Sequence, residues 1–263
     1  MKIALIQNKP GNNKIENIND VIRLIPKEKF NILVLPESFN SPYGIKYIKK
    51  YAENLNTGGI TIHFLKNISF TYKDTYIIGG SIPEEKDGKY YNTCTVWNNG
   101  SMVAVYRKIH LFDVNFPDSL NFVFKESDVL SNGEKPTFFS TPWGNIGLGI
   151  CFDLRFNKLS NYYKDNNCKL ICYPGNFTEW SGNLHWKLLL RARALDSQCY
   201  VIGCSSALND TMDYKSYGHS MIVNPWGDVQ LEFNNLIDSS INYINIADID
   251  KIKLFLPLKD RLQ

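Results

Sequence analysis

Length, composition and charge already exclude several classes of protein. The chain has 263 residues, of which 44% are hydrophobic and 21% are charged, as is typical of a globular protein with a large core. The net charge is only +3, and the charges are mixed along the chain, so we expect no nucleic-acid partner. The first apolar run is too short for a signal peptide, and no run approaches the roughly 18 apolar residues of a membrane span. We therefore expect a cytoplasmic protein without a membrane partner.

The six cysteines lie mostly in apolar, strand-like runs, where a free thiol packs as a small hydrophobic side chain. They are Cys94, Cys151, Cys168, Cys172, Cys199 and Cys204. The spacing between Cys168 and Cys172 is not standard for zinc, and no second Cys/His pair accompanies it. We therefore expect neither disulfides nor a bound metal.

The first half of the chain alternates predicted strands and helices. Isoleucines at helical spacing predict a helix over 13–25, and a second helix is predicted over 60–70. Short apolar runs predict strands over 2–7, 31–35, 75–81, 90–97 and 101–107. Pro36 is expected to end the second strand, and Asn98-Asn99-Gly100 predicts a hairpin turn.

The second half repeats this alternation. Helices are predicted over 155–164 and 184–198. Strands are predicted over 145–150, 170–173, 200–205, 219–223, 229–233 and 242–249, with Pro174 ending the second of them. The pattern predicts an α/β protein in which helices cover a sheet, and the absence of a linker predicts one domain over 1–263. In such folds sites form at the carboxyl ends of strands, where Glu37 and Cys151 both fall.

Cys151 is the first candidate for chemistry. It follows an apolar strand and precedes a predicted helix, a position that exposes a nucleophile and surrounds it with backbone N–H groups. That position is expected to lower the pKa of the thiol and to supply donors for an oxyanion. On local chemistry alone, a buried structural cysteine is an equal alternative.

Three other charged residues are candidates with an ordinary alternative reading. Glu37, just past a buried strand, is either a shielded general base or a solvated loop residue. Lys108, at the end of a strand, either neutralises a developing negative charge or lies on the surface. Glu126 is either a second carboxylate of the site or a loop charge. His110 and His219 fit structural roles better, although a dyad of Cys151 with His219 stays open on local chemistry.

Three segments in order resemble the signature segments of the nitrilase superfamily of carbon–nitrogen hydrolases. They are Leu35-Pro36-Glu37, Tyr106-Arg107-Lys108-Ile109-His110-Leu111-Phe112 and Gly149-Ile150-Cys151-Phe152-Asp153-Leu154-Arg155-Phe156. The likeness extends over nearly the whole chain and is closest to the omega-amidase branch. That closer likeness lies in residues 37–44, 79–85, 91–94, 218–220 and 224–227.

The resemblance implies an α-β-β-α sandwich, a homodimer joined through a helical face, and no cofactor. It implies a small-molecule amide substrate, 2-oxoglutaramate or 2-oxosuccinamate, which is hydrolysed to the 2-oxo acid and ammonia. By the same resemblance Cys151 is the nucleophile, Glu37 the general base and Lys108 the catalytic lysine. Glu126 matches a second active-site glutamate, and the two histidines become structural, which weakens the Cys–His dyad.

The mechanism implied by this resemblance runs through a thioester on Cys151. The oxyanion is stabilised by Lys108 and by the backbone N–H of Phe152. The distal carboxylate of a 2-oxo acid amide requires a guanidinium or hydroxyl donors, for which Arg155 and Tyr43 are the candidates. For Arg155 the alternative is a salt bridge with Asp153.

Departures from the family pattern leave the substrate open. Asn176 replaces a usually small residue, 178–181 and 204–206 differ from the usual sequence, and the stretch 113–124 is about two residues longer than in close omega-amidases. The chain also ends at Leu262-Gln263, before the family's usual tail, which we expect to alter the dimer contact. Alternatives are a deaminated-glutathione amidase, another small-amide hydrolase or acyltransferase, and a catalytically silent interaction protein.

Overall fold

The secondary structure is known from a computed structural model that describes residues 1–116 and 122–258. Within these residues the strands are β1 (Lys2–Gln7), β2 (Ile32–Val34), β3 (Tyr76–Ile78), β4 (Ile82–Lys86), β5 (Lys89–Asn98), β6 (Ser101–Arg107), β7 (Asp113–Phe116), β8 (Phe122–Lys125), β9 (Thr137–Thr141), β10 (Gly144–Leu148), β11 (Cys168–Gly175), β12 (Tyr200–Ser205), β13 (Met221–Val223), β14 (Val229–Glu232) and β15 (Asp238–Tyr243). The helices are α1 (Lys14–Leu24), α2 (Ile45–Tyr51), α3 (Ile60–Thr71), α4 (Asn157–Asp165), α5 (Glu179–Ser197) and α6 (Ala247–Phe255). Short 3₁₀ helices span Glu126–Asp128 and Cys151–Arg155.

Two large sheets form the centre of the fold. In the described part of the chain, the first has the order β15-β1-β2-β3-β5-β4, with β6 paired to β5, and the second has the order β14-β13-β12-β11-β10-β9. Strands β1, β2 and β3 are parallel to one another, as are β10, β11 and β12. Helices cover the outer face of each sheet, which confirms the predicted α-β-β-α sandwich.

The strand β1 shows how the sequence produces these layers. Successive side chains of a strand point to opposite faces. Ile3 and Leu5 therefore pack in the core between the two sheets, whereas Ala4 and Ile6 pack beneath the helices α1 and α3. Because both faces are covered, the four central residues of the strand are all apolar, as is typical of buried parallel strands.

The second sheet is covered by α4 and α5. Leu159 and Tyr163 of α4 and Trp186 and Leu190 of α5 are all buried in the core that lies over β11 and β12. Gly203 of β12 permits this close packing, because a Cβ atom there would lie 2.5 Å from Leu190 Cδ1. The helix α5 is thus fixed above the central strands of the sheet that carries Cys151.

The predicted strand over 242–249 is wrong beyond Tyr243. The strand β15 ends there, and the helix α6 follows. The side chain of Asn245 accepts a hydrogen bond from the backbone N–H of Ala247 at 3.3 Å and donates one to Asp248 at 3.0 Å. These bonds favour a helix start over a continued strand.

Pro174 does not end its strand as predicted, because β11 continues to Gly175. The carbonyl of Cys172 accepts a hydrogen bond from the backbone N–H of Gly149 at 2.9 Å. The backbone nitrogen of Pro174, two residues later, faces the same side of the strand. At that point β10 has already ended, so no ladder hydrogen bond requires the missing N–H. The strands β4, β7, β8 and β9 and the helix α2 were not predicted.

No helix of the described chain combines the length and apolar character needed to cross a bilayer.

The stretch over 113–124, which is longer than in close omega-amidases, forms part of a β-ribbon. The strands β7 and β8 pair there, from Asp113–Lys125 to Phe116–Phe122. Residues 117–121, and the chain end Leu262-Gln263, lie outside the described residues.

Candidate active site

The three predicted catalytic side chains meet where strands of the two sheets end. Glu37 follows β2, Lys108 follows β6 and Cys151 follows β10. Lys108 Nζ lies 3.2 Å from Glu37 Oε1, and both side chains are 0% exposed. Cys151 is 4% exposed, and its pKa is affected by both of these charges. The fold thus brings together residues that are far apart in the sequence, since Lys108 and Glu37 are separated by 71 positions.

Cys151 occupies a strained turn. It has a φ of 48°, which is uncommon for a residue with a side chain and is a conformation that clusters at functional sites. Asp153 fixes this turn, because its carboxylate accepts hydrogen bonds from Ile150 N at 2.9 Å and from the Tyr106 hydroxyl at 2.7 Å. The amide of Phe152 lies in the first turn of the following 3₁₀ helix, where N–H groups lack partners within a helix.

The protonation state of Cys151 differs from the sequence expectation. Burial, and then the charge of Glu37, raise the pKa of the thiol well above its usual value. Lys108 and the backbone N–H of Asn176, which donates to Cys151 Sγ at 3.4 Å, act in the opposite direction. The predicted lowering of the thiol pKa is therefore wrong, and the nucleophile requires a base.

Glu37 has the properties of that base. Its Oε1 accepts hydrogen bonds from Asn92 Nδ2 at 2.9 Å and from Lys108 Nζ. Its Oε2 is buried and accepts no hydrogen bond from the described residues. Burial raises the pKa of Glu37, and the repulsion from Glu126 adds to this, while Lys108 and the thiol of Cys151 oppose it. One oxygen thus fixes the carboxylate, and the other is left for proton transfer.

Glu126 holds Lys108 in place. Lys108 Nζ lies 3.0 Å from Oε1 and 2.9 Å from Oε2 of Glu126. The same carboxylate accepts hydrogen bonds from the Tyr43 hydroxyl at 3.0 Å and from Phe112 N at 2.8 Å. Burial alone would lower the pKa of Lys108, but Glu126 and Glu37 raise it above its usual value, so the ammonium is retained. Glu126 has no free oxygen comparable with that of Glu37.

The two predicted substrate-binding residues are placed differently. The hydroxyl of Tyr43 is already bonded to Glu126, and its ring lies 4.4 Å from that of Tyr214. A direct contact of Tyr43 with a substrate carboxylate therefore stays a prediction that requires this hydroxyl to change partner. In the arrangement that is present, Tyr43 holds Glu126 and packs against Tyr214.

Arg155 lies at the mouth of the site. Its guanidinium is 5.0 Å from the ring of Phe177 and 5.7 Å from that of Phe152, and its Nη2 is 3.3 Å from His185 Nδ1. No carboxylate of residues 1–116 or 122–258 lies within ion-pairing distance of it. Asp153, the alternative partner considered from the sequence, is bonded to Tyr106 and His110. Among the described residues, the guanidinium of Arg155 therefore has no carboxylate partner.

Two cavities adjoin at the candidate site, and Cys151 lines the inner of the two. The inner cavity has a volume of about 10 Å³ and is lined by Cys151, Asn176 and Tyr214 among others. The outer cavity has a volume of about 500 Å³, and its walls include Phe116, Phe122 and Trp180. The two cavities share Phe112, Phe152, Arg155, Ser181 and Tyr214. The inner volume suits one water-sized group, and the outer one suits the remainder of a ligand.

His110 and His219 lie outside this constellation. His110 Nδ1 is 2.7 Å from Asp153 Oδ1, and its ring stacks on Phe156 at 3.6 Å. The ring of His219 stacks on Tyr217 at 4.2 Å, and His219 does not line the cavity of Cys151. A Cys–His dyad is therefore not formed. No group of three or more His, Cys, Asp or Glu residues within the described ranges is arranged to hold a metal ion.

Two residues of the site were not assigned a role from the sequence. Asn92 lies in β5 and holds Glu37, and Tyr214 lies in the loop before β13, where its hydroxyl donates to the carbonyl of Asn176. Each reaches the site from a distant part of the chain. The strand β5 contains several polar residues, so its sequence does not single out Asn92, and no local pattern indicates Tyr214.

Comparison with known proteins shows the class to which this fold and site belong. The family model described as carbon–nitrogen hydrolase matches residues 2–252. The chain therefore belongs to the carbon–nitrogen hydrolase family, which confirms the family and the fold class predicted from the sequence. The protein is thus a hydrolase of the amidase class.

Within the family, the chain is similar to omega-amidases and to a solved structure of the nitrilase superfamily. The chain is 43% identical to "Omega-amidase NIT2" of Homo sapiens over 96% of this chain and 90% of the relative. It is 42% identical to "Omega-amidase NIT2-B" of Xenopus laevis over 87% of this chain and 82% of the relative. The crystal structure of Saccharomyces cerevisiae Nit3, a member of branch 10 of the nitrilase superfamily, superposes with a TM-score of 0.87 at 33% identity, covering 99% and 96% of the two chains.

Proposed function

We propose that the protein is an omega-amidase that hydrolyses 2-oxoglutaramate and 2-oxosuccinamate through a thioester on Cys151. One observation carries this proposal. Lys108 is held between Glu37 and Glu126 beside a buried thiol, and Glu37 alone keeps an oxygen free for proton transfer. The identity of more than 40% with omega-amidases supports the choice of substrate.

The first half of the reaction begins with the thiol proton. Glu37 Oε2 takes this proton, and Cys151 Sγ attacks the amide carbon. The oxyanion is stabilised by Lys108 and by the backbone N–H of Phe152, and each such donor is typically worth about 10²–10³ in rate. Glu37 then gives its proton to the amide nitrogen, the C–N bond breaks, and ammonia leaves a thioester on Cys151.

The second half regenerates the enzyme. Glu37 takes a proton from a water molecule, the resulting hydroxide attacks the thioester, and the C–S bond breaks as Cys151 regains its proton. The same carboxylate therefore acts as base, acid and base again, which requires a pKa nearer to neutrality than that of an exposed glutamate. The direction in which burial moves the pKa of Glu37 supports this assignment.

The substrate's carboxylate is assigned to Arg155. The guanidinium lies on both cavities and has no acidic partner among the described residues. A carboxylate in the outer cavity would form a charge-assisted hydrogen bond with it while the amide end reaches Cys151.

The proposed reaction is tested by measuring ammonia released from 2-oxoglutaramate by the wild type and by Cys151→Ala. We expect release by the wild type only, with both proteins giving the same melting temperature. Cys94→Ala is a matched control, because Cys94 is also a buried thiol but lies outside the site. Turnover by Cys151→Ala would overturn the mechanism, and an inactive wild type would overturn the substrate.

A second candidate from the same family is favoured by the outer cavity. A volume of about 500 Å³ exceeds the needs of a five-carbon acid amide and would admit the longer substrate of a deaminated-glutathione amidase, or an amine acceptor in an acyltransferase. A substrate panel separates these candidates, since a longer amide would then have the higher kcat/KM. Absence of turnover throughout the panel, together with a Cys151 that alkylates no faster than Cys94, would instead indicate a silent interaction protein.

Assembly and location are further parts of the proposal. The helix α5 exposes Trp180, Leu184, Leu188 and Leu195, an apolar row that supports a homodimer joined through a helical face. All six cysteines are free thiols, which supports a reducing compartment and hence the cytoplasm. The family match over residues 2–252 supports a single domain over 1–263.

A further inference from the structure

Asn176 brings an unused polar side chain to the wall of the inner cavity. The residue is only 1% exposed. Its Oδ1 is buried without a hydrogen-bond donor among the described residues. The hydrogen bonds that Asn176 does form with these residues come from its backbone N–H and carbonyl and not from the carboxamide. Buried carboxamides are usually paired, because an unpaired one loses its hydration without compensation. An unpaired one beside a nucleophile therefore points to a ligand.

The backbone of Asn176 is held on both sides. Its N–H donates to Cys151 Sγ at 3.4 Å, and its carbonyl accepts from the Tyr214 hydroxyl. The preceding Gly175 lies against Cys151, since a Cβ atom there would be 3.5 Å from Cys151 Cα. The backbone that carries the carboxamide is thus fixed beside the reacting sulfur.

Each polar group of the proposed substrate can be matched with a group of the site. The scissile oxygen is served by Lys108 and the Phe152 amide, and the amide nitrogen faces the carboxylate of Glu37. The distal carboxylate is served by Arg155. The 2-oxo group is the only remaining polar group of the substrate, and Asn176 is the remaining unpaired polar side chain among the described residues that line the inner cavity.

We propose that Asn176 is a specificity residue that donates a hydrogen bond from Nδ2 to the 2-oxo group of the substrate. This inference rests on the proposed function and deepens it. The contact selects 2-oxo acid amides over amides of the same length in which a methylene replaces the oxo carbon. A site built to bond a polar group discriminates against a ligand that lacks it, because its own polar atoms are then left unpaired.

The test compares two substrates with two variants. The substrates are 2-oxoglutaramate and glutaramate, which lacks only the oxo group. Asn176→Ala removes the carboxamide, and Asn176→Asp keeps its shape but removes the donor. For both variants we expect the ratio of kcat/KM for 2-oxoglutaramate to that for glutaramate to fall about tenfold, as for one lost hydrogen bond. Asn183→Ala, on the exposed side of α5, is the matched control and should keep the wild-type ratio.

Each other outcome has a definite meaning. An unchanged ratio in Asn176→Ala, at an unchanged melting temperature, would overturn the contact with the oxo group. An equal loss on both substrates would also overturn it and would indicate that Asn176 only supports Cys151. A wild type inactive on both amides would refute the proposed omega-amidase function itself, and the oxo contact with it.

Discussion

Lys108 Nζ lies 3.2 Å from Glu37 Oε1, and both side chains are completely buried. A buried ammonium is tolerated only when carboxylates compensate for its lost hydration, and here two carboxylates do so. They are not equivalent, because both oxygens of Glu126 are hydrogen-bonded and one oxygen of Glu37 is not. This asymmetry separates a carboxylate that positions the lysine from one that moves protons.

Replacing Glu37 by Gln should lower kcat/KM by about 10²–10⁴, the usual contribution of a general base. The introduced carboxamide keeps an oxygen for Asn92 and Lys108 but cannot take the proton of Cys151. Initial rates of ammonia release provide the measurement, and Glu28→Gln, at an exposed glutamate, is the control. A loss of less than about fivefold, far below that usual contribution, would assign the base to another group.

The pH dependence of stability should change in the same variant. The pKa of Glu37 is raised above 4.5 in the folded protein, so between 4.5 and that raised pKa the folded state binds more protons than the unfolded state. Stability from this group is therefore present at low pH and is lost as pH rises through that window. We expect Glu37→Gln to melt at a higher temperature than the wild type at neutral pH, with a smaller difference near pH 4.5, the lower end of that window.

The acidic limb of the wild-type rate profile follows from the same shift. Only the ionised carboxylate of Glu37 accepts the thiol proton, so kcat/KM should fall on acidification at a pH above 4.5. A limb centred below this value would contradict the assignment of Glu37 as the base in the free enzyme.

Lys108→Met should reduce both activity and stability. Loss of one oxyanion donor predicts a decrease in kcat of about 10²–10³. Loss of the cation leaves Glu37 and Glu126 buried without compensation, and breaking a buried ion pair in this way costs about 3–5 kcal/mol. Urea denaturation measures the second effect, with Lys27→Met, at an exposed lysine, as the control. If the variant kept full stability but lost activity, Glu37 or Glu126 would have taken up a proton and so compensated for the lost cation.

The central strands were predictable because they are buried on both faces, and the partly exposed β6 was predictable from its apolar run. The runs over 2–7, 101–107 and 200–205 match β1, β6 and β12 in their bounds. The predicted strand over 242–249 failed because an apolar run alone does not distinguish a strand end from a helix start. The distinction lies in the side-chain hydrogen bonds of Asn245.

The site was predictable only in part. Strand ends are visible in the sequence, but local chemistry left Glu37, Lys108 and Cys151 with ordinary alternatives, and the resemblance to the nitrilase superfamily gave them their predicted roles. The raised pKa of Cys151 was not predictable, because it arises from burial and from the charge of Glu37, and neither is visible in the local sequence. Asn92 and Tyr214 depend on the packing of distant strands and loops, which no local pattern encodes.

Arg155→Met should weaken binding of acidic amides selectively. Loss of a charge-assisted hydrogen bond, about 1.5–3 kcal/mol, predicts a rise in KM for 2-oxoglutaramate of roughly 10- to 100-fold. A neutral amide such as butanamide gains nothing from the guanidinium, so its KM should change far less. Arg23→Met, on the exposed face of α1, is the control. An equal change for both amides would remove Arg155 from carboxylate recognition.

The exposed row on α5 leads to the last prediction. Leu188 is 65% exposed and lies one helical turn from Leu184, which is 53% exposed, so an apolar stripe faces outward from the second sheet. If this stripe joins two copies, Leu188→Asp buries a charge in the interface and should shift the protein from dimer to monomer. Light scattering after gel filtration measures the mass. Val123→Asp, at a residue 60% exposed outside α5, is the control and should leave the mass unchanged. A wild type that is monomeric at all concentrations would contradict the proposed homodimer, and a dimer insensitive to Leu188→Asp would place the interface elsewhere.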